Sequence, residues 1–223
     1  MRLLAALLAA LSLQAAAAPF PVMIGGDRIV FDAIPGMSDA LPLGSPRITE
    51  LAESIASPSD RILLFALTDI DLRRFQQGDK IDLRRYMLLM TPKSLEAERV
   101  GAEQFRTMIG DLRRDIGKPA DPADYRKFLE EQPEGRSVPL ALLKDVENVY
   151  SVLSGSRVPG TTGGGWFSRP PAQYVLSTST VLKLRDKAFT LSVNTLYDTP
   201  QDVEWVRLAT ERWVEILQKL NAR

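Results

Sequence analysis

The sequence predicts an α+β protein in which an antiparallel sheet is covered by helices, one of them a C-terminal amphipathic helix. Three observations predict this class. Strand-like and helix-like segments follow one another without the strict alternation of a parallel βαβ order. Residues 173–184 and 188–197 alternate around the short polar connection 185–187, as the two strands of a hairpin do. A long amphipathic helix follows directly, so we expect it to cover the sheet.

The first residues have the pattern of a secretory signal peptide. Met1 and Arg2 precede an apolar core over residues 3–13, and a run of alanines over residues 15–18 offers a cleavage site. The core has about half of the roughly 20 apolar residues that a membrane-spanning helix needs. We therefore expect a signal peptide over residues 1–17 and a single α+β domain over residues 18–223. This predicts a periplasmic or secreted protein with no stable membrane anchor after cleavage.

The composition excludes several kinds of chemistry. The 223 residues include 28 basic and 28 acidic side chains, no histidine and no cysteine. Without histidine or cysteine, Ser-His-Asp and Cys-His catalysis and zinc sites of the usual type are impossible. The even charge balance gives no basic surface for nucleic acid. The sequence thus predicts no cofactor, no metal site and no nucleic-acid partner.

The first half of the domain is predicted to contain three strands and a helix. Residues 28–34 are β-branched and aromatic and stop at the turn pair Pro35 and Gly36. A helix is predicted to begin after Ser45 and to end before Ser57, since apolar side chains recur at helical spacing between them. Two short apolar runs, residues 61–67 and 81–90, have the length of buried strands.

Further along the chain, apolar side chains recur at helical spacing over residues 94–116, and a second helix is predicted to begin near Asp121 and to close before Pro133. Residues 140–153 fit the helix and strand patterns almost equally, and we interpret them as a strand. The last helix is predicted to begin at Thr199, which is followed by Pro200 in the first turn.

Two tryptophans on the last helix resemble a ligand-stacking pair. Trp213 falls at the centre of the apolar face, whereas Trp205 falls at its edge. Helical periodicity already accounts for both positions, so the sequence favours core packing over ligand binding.

The order of the predicted elements resembles that of the PsbP-like α+β fold. An early strand ending at Ile34, Pro35 and Gly36, two middle strands, and a terminal hairpin that runs into a helix over residues 202–221 carry the resemblance. It covers residues 28–90 and 172–221. The resemblance implies a non-enzymatic accessory role, which is an argument from the fold alone.

Several charged or hydroxyl residues are candidates for metal binding, anion binding or catalysis. Asp69 and Asp71 share one side of a strand if it continues past residue 67, but two acids are too few for calcium, and a solvated strand end beside Arg73 and Arg74 is favoured. Nothing in the spacing favours a serine–lysine pair. That pair would consist of Lys144 with Ser154 or Ser156. Arg84, Arg85, Arg113 and Arg114 are candidate anion contacts, but adjacent side chains diverge in direction, so solvated faces are favoured.

A Gly/Pro-rich loop over residues 157–171 contains the most specific candidate site. Trp166 and Phe167 lie among its glycines and prolines, and large aromatic side chains become binding hot spots when a partner supplies a pocket. An equal alternative is that both rings fill the core of the domain. The sequence thus predicts an exported accessory or interaction protein that binds an unknown envelope protein, with no catalytic residues assigned. The alternative function is a carboxylate-based hydrolase of the cell envelope.

Overall fold

The computed structural model describes residues 18–81, 83–159 and 172–222. The strands there are β1 (Phe20–Ile24), β2 (Asp27–Phe31), β3 (Met37–Asp39), β4 (Asp60–Thr68), β5 (Arg85–Pro92), β6 (Ser137–Val146), β7 (Val149–Val158), β8 (Gln173–Leu184) and β9 (Lys187–Leu196). The helices there are α1 (Pro46–Ile55), α2 (Asp69–Gln76), α3 (Ala102–Ile116), α4 (Tyr125–Glu130) and α5 (Pro200–Leu220).

Seven strands form one antiparallel sheet in the order β3-β4-β5-β9-β8-β7-β6, and β1 and β2 form a separate hairpin. Every neighbouring pair in the seven-stranded sheet is antiparallel. The predicted fold class is therefore confirmed: the chain is α+β, and helices, including the C-terminal amphipathic helix, cover an antiparallel sheet.

The central hairpin is built on a two-residue turn. Arg185 and Asp186 both have positive φ angles, 48° and 60°, and Leu184 pairs with Lys187 across the turn. Two consecutive left-handed residues give the twist that matches two antiparallel strands. The hairpin was predicted correctly, although Lys187 belongs to β9 and not to the connection.

One face of the sheet packs against α5, α4 and the β1–β2 hairpin. Trp213 of α5 is fully buried, and its ring N–H donates to the carbonyl oxygen of Asp32 at 2.8 Å. The surrounding core includes Phe31, Phe189 and Leu217. Helix α5 thus covers the sheet, as its apolar face predicted, and it also contacts β2 of the N-terminal hairpin.

The opposite face of the sheet carries two smaller apolar clusters. Ile48 of α1 packs in a cluster with Phe65 and Leu88 of the central strands. Phe105 of α3 packs in another with Tyr150 of β7. The helices therefore cover both faces of the sheet, and α5 lies alone among the long helices on its side.

Three local expectations are corrected. Strand β1 was not predicted, and it pairs with β2 around Gly25 and Gly26. Residues 140–153 do not form one strand but span parts of β6 and β7, which meet at a turn after Val146. Helix α3 begins at Ala102 and not near residue 94, because the carbonyls of Glu96 and Glu98 instead accept hydrogen bonds from the buried amine of Lys187.

The predicted signal peptide lies outside the described residues and stays a prediction, as does the single-domain boundary. In the part of the chain that the structure describes, no helix has the length and apolar character needed to cross a bilayer.

Candidate functional site

Trp166 and Phe167 lie outside the described residues, but the two strands that lead to their segment are described. Val158 at the end of β7 pairs with Gln173 at the start of β8. The adjacent pair is Arg157 with Tyr174. The segment between the two strands therefore leaves the sheet at the end where β5 begins and β9 stops.

At this end of the sheet, Arg85 connects β5 to the first turns of α5. Its guanidinium carbon lies 4.3 Å from the ring centre of Trp205, and its Nη2 donates to Asp202 at 3.0 Å. The side chain of Asp202 is only 6% exposed, whereas that of Arg85 is 32% exposed. An ion pair with one buried partner holds the guanidinium over the indole ring, where cation–π attraction operates.

A second stacked pair lies beside the first. The guanidinium of Arg126, on α4, lies 5.1 Å from the ring centre of Tyr174, and it donates to the carbonyl oxygen of Asp198 at 3.4 Å. Arg84 forms an ion pair with the carboxylate of Asp198. Arg84 and Arg85 thus point to different partners, as expected for adjacent strand residues.

We call this group of five residues the arginine–aromatic end. It consists of Arg84, Arg85, Arg126, Tyr174 and Trp205. The side chain of Arg126 is 49% exposed, and Trp205 is half-buried. Arg84, Arg85, Arg126 and Trp205 are therefore held by contacts on one side and accessible on the other, whereas Tyr174 is buried.

The sequence at the start of α5 explains the position of Asp202. Its Oδ2 accepts hydrogen bonds from the backbone N–H of Asp198 and of Thr199, at 3.1 and 3.0 Å. Burial by itself raises the pKa of Asp202, but these N–H groups and the Arg85 guanidinium outweigh it and hold that pKa below its usual value. Asp202 therefore stays ionised and keeps Arg85 in place.

A second candidate site lies between α5 and the β6–β7 hairpin. It is a cleft of about 180 Å³ whose lining includes Lys144, Ser151, Arg207 and Glu211. Lys144 and Ser151 are direct partners across the two strands. Ser151 is 2% exposed, so the cleft has a polar floor and charged groups at its mouth.

The serine–lysine pair considered from the sequence is not formed. Lys144 lies opposite Ser151, whereas Ser154 pairs with Pro139 and Ser156 pairs with Ser137. Because strand side chains alternate between faces, Ser154 and Ser156 lie on the other face of the sheet. The sequence analysis did not find Ser151. Ser151 can be matched to Lys144 only when the register between β6 and β7 is known.

The remaining charged candidates have structural partners. Asp69 and Asp71 lie in the first turn of α2, where Asp69 accepts from the hydroxyl of Ser38 at 2.7 Å and Asp71 from that of Thr68 at 2.6 Å. Arg113 and Arg114 form ion pairs with Asp145 and Asp111, respectively. Within the described ranges, no group of three potential metal ligands comes together.

Comparison with known proteins gives no family for the chain. No family model matches it, and no curated protein matches it. Two solved structures match it at low similarity. One is the Saccharomyces cerevisiae Ran-binding protein Mog1p, at 13% identity and a TM-score of 0.37, over 91% of this chain and 93% of Mog1p. The other is a point mutant of Mog1, at 13% identity and a TM-score of 0.39, over 91% and 94% of the two chains.

Two expectations are wrong in the light of these matches. The resemblance to the PsbP-like fold is corrected, because the solved structures that match are those of Mog1. The periplasmic or secreted location is corrected as well, because the matched protein is described as Ran-binding and not as a protein of the cell envelope.

Proposed function

We propose that this chain is a non-catalytic accessory protein that binds a protein partner through the arginine–aromatic end. The observation that supports this most is the pair of stacks, Arg85 on Trp205 and Arg126 on Tyr174, at one end of the sheet. Arginine, tryptophan and tyrosine are the residues most enriched in binding hot spots. Side chains already held in one conformation lose less entropy when a partner binds.

The position of the predicted recognition loop supports the same surface. Residues 160–171, which include Trp166 and Phe167, connect β7 to β8 next to the paired residues Arg157 and Tyr174. We infer that both belong to one interface.

The hydrolase alternative has less support. Such an enzyme needs two carboxylates roughly 5 to 9 Å apart on either side of a substrate. Asp198 and Asp202 are already engaged by Arg84 and Arg85. Among the described residues, the cleft beside α5 is lined by one carboxylate, that of Glu211.

The experiment compares Arg126→Ala with a matched control, Arg106→Ala, which removes an exposed arginine from α3 on the other face of the sheet. Proteins that co-purify with the tagged full-length chain are quantified for both variants. Loss of a hot-spot side chain costs about 2 kcal/mol or more, so capture by Arg126→Ala should fall roughly 30-fold. Unchanged capture by Arg126→Ala would contradict the proposal, as would an equal loss with Arg106→Ala.

A further inference from the structure

We propose that the cleft between α5 and the β6–β7 hairpin binds a small aliphatic α-amino acid. This site is separate from the arginine–aromatic end and does not depend on the proposed function. Four groups around the cleft carry the inference: the hydroxyl of Ser151, the cations of Lys144 and Arg207, and the carboxylate of Glu211.

Two pairs of hydroxyl groups lie beneath α5, Thr178 with Thr210 and Ser151 with Thr180. In the first pair, every hydroxyl proton has an acceptor. Thr210 donates to the carbonyl of Val206 at 2.7 Å, so the bond between Thr178 and Thr210, at 2.9 Å, uses the proton of Thr178. The hydroxyl oxygen of Thr178 in turn accepts the N–H of Val193. In this pair, both hydroxyl protons have acceptors.

Ser151 and Thr180 differ from that pair. They share one hydrogen bond of 2.6 Å, although they carry two hydroxyl protons. In the described parts of the chain, the second proton has no acceptor. Ser151 lines the cleft, so it can accept from Thr180 and donate its own proton to a ligand. A buried donor without an acceptor is costly, which favours a ligand that carries an acceptor.

The charged groups at the mouth of the cleft have no ion-pair partner among residues 18–81, 83–159 and 172–222. This holds for Lys144, Arg207 and Glu211, in contrast to the paired arginines at the end of the sheet. Arg207 and Glu211 are one helical turn apart and share a face of α5. A carboxylate matches the two cations and the Ser151 hydroxyl, and an ammonium group matches Glu211. An α-amino acid carries both groups on its α-carbon.

The size and walls of the cleft define the side chain. Leu143, Val149 and Val214 are the aliphatic residues of its lining, and Leu143 is the most exposed of the three. The volume is about 180 Å³, and an apolar cavity of roughly 150 Å³ is enough for benzene. A ligand of the size of valine or leucine fits both the volume and the apolar wall.

The test is calorimetric titration of the full-length chain with L-leucine, together with its melting temperature, because a ligand that binds only the folded state raises that temperature. Three other ligands are titrated: 4-methylpentanoate, which lacks the ammonium group, isoamylamine, which lacks the carboxylate, and inorganic phosphate. We expect L-leucine to bind at least about tenfold more tightly than each of them, because each lost charge-assisted hydrogen bond weakens binding.

Matched variants identify the site. Arg207→Met and Glu211→Gln should each weaken L-leucine binding at least about tenfold. Arg212→Met and Glu215→Gln, on exposed positions of the same helix, should bind it as the unmodified chain does. The proposal is overturned if millimolar L-leucine gives neither heat nor a shift in melting temperature. It is also overturned if phosphate or 4-methylpentanoate binds equally well, or if Arg207→Met and Glu211→Gln bind L-leucine normally.

Discussion

The side-chain amide of Asn221 both accepts a hydrogen bond from the backbone of Val30 and donates one to it, although Val30 lies 191 residues earlier in the chain. Its Oδ1 accepts the Val30 N–H at 2.9 Å, and its Nδ2 donates to the Val30 carbonyl at 2.8 Å. Nδ2 also donates to the carbonyl of Leu217 at 2.8 Å. One amide thus ends α5 and also pairs with the edge of β2, as a neighbouring strand would.

The first prediction follows from this amide. Asn221→Asp keeps the acceptor but places a carboxylate oxygen against two carbonyl oxygens. Because a buried hydrogen bond is replaced by repulsion, we expect a loss of about 2 to 3 kcal/mol in the free energy of unfolding, measured with a chemical denaturant.

Gln218→Glu is the control for Asn221→Asp. It makes the same amide-to-carboxylate change at the same helix end, at a side chain that makes no hydrogen bond within the described residues. It should cost no more than a few tenths of a kcal/mol, as expected for a negative charge near a helix C-terminus. Equal losses for both variants would show that helix charge, and not the pairing with Val30, is responsible.

The second prediction compares the two tryptophans of α5. Trp213 is fully buried, so Trp213→Ala should lower the free energy of unfolding by about 3 to 5 kcal/mol. Trp205 is half-buried and stacks on Arg85, so Trp205→Ala should cost clearly less. Denaturant midpoints of the two variants measure the difference. Small and equal shifts would mean that the buried face of α5 is assigned incorrectly.

The sequence predicted this helix well because its signals are local. Thr199, Pro200 and Asp202 mark its start, and the spacing of its apolar residues places Trp213 inward and Trp205 at the edge. The role of Asn221 could not be predicted, because it depends on the position of a strand near the other end of the chain. The same limit applies to Arg85, whose partners follow it by more than 100 residues.

Errors in the predicted fold also have local causes. Strand β1 is five residues long and contains Pro21, which weakened the strand pattern, although Gly25-Gly26 is a recognised hairpin signal. Residues 140–153 were interpreted as one strand although the polar pair Glu147 and Asn148 forms the connection between β6 and β7. The cleft beside α5 was missed because Lys144 was compared with Ser154 and Ser156, whereas the register places it opposite Ser151.

The third prediction concerns acid sensitivity. The pKa of Asp202 is lowered in the folded protein. Its carboxylate therefore stabilises the fold above the unfolded-state pKa of about 3.9. This stabilisation is lost as the pH falls through the lower folded-state pKa. Asp202→Asn should therefore be less stable than the unmodified chain at neutral pH, and the difference should shrink as the pH falls below about 4. Unfolding free energies measured across this range test it.

Asp39→Asn provides a control of opposite sign. Burial raises the pKa of Asp39, despite hydrogen bonds from the N–H groups of Leu41 and Phe65. The ionised form of Asp39 therefore disfavours folding, and the unmodified chain gains stability relative to Asp39→Asn as the pH falls through the raised folded-state pKa. If the stability differences of both variants from the unmodified chain change in the same direction with pH, the assignment for Asp202 is incorrect.

The fourth prediction uses the two neighbouring glycines of the β1–β2 turn. At Gly25, with φ of 53°, an added Cβ would lie 1.9 Å from the carbonyl oxygen of Glu96. At Gly26, with φ of 88°, an added Cβ would meet nothing within 4 Å. Gly26→Ala should therefore cost only the backbone strain, about 1 kcal/mol, whereas Gly25→Ala should cost about 3 kcal/mol or more, because the clash adds to it.

Thermal denaturation of the two alanine variants measures this difference. Both changes add the same methyl group to a residue with positive φ, so the excess loss at Gly25 reports its close contacts with Glu96, Ala97 and Lys187. Similar losses would contradict the close approach between the hairpin turn and the segment before α3.

The last prediction concerns Trp166 and Phe167. If they bind the partner together with the arginine–aromatic end, changing both to Ser should leave the melting temperature almost unchanged and should reduce partner capture as strongly as Arg126→Ala does. Hot spots in one interface are coupled, so combining the changes should reduce capture less than the product of their separate effects. If the rings instead fill the core, the double variant should lose several kcal/mol of stability, on the order of 3 to 5 for each aromatic side chain removed. A clear fall in melting temperature would therefore reject the recognition loop while leaving the stacked pairs Arg85–Trp205 and Arg126–Tyr174 to be tested by themselves.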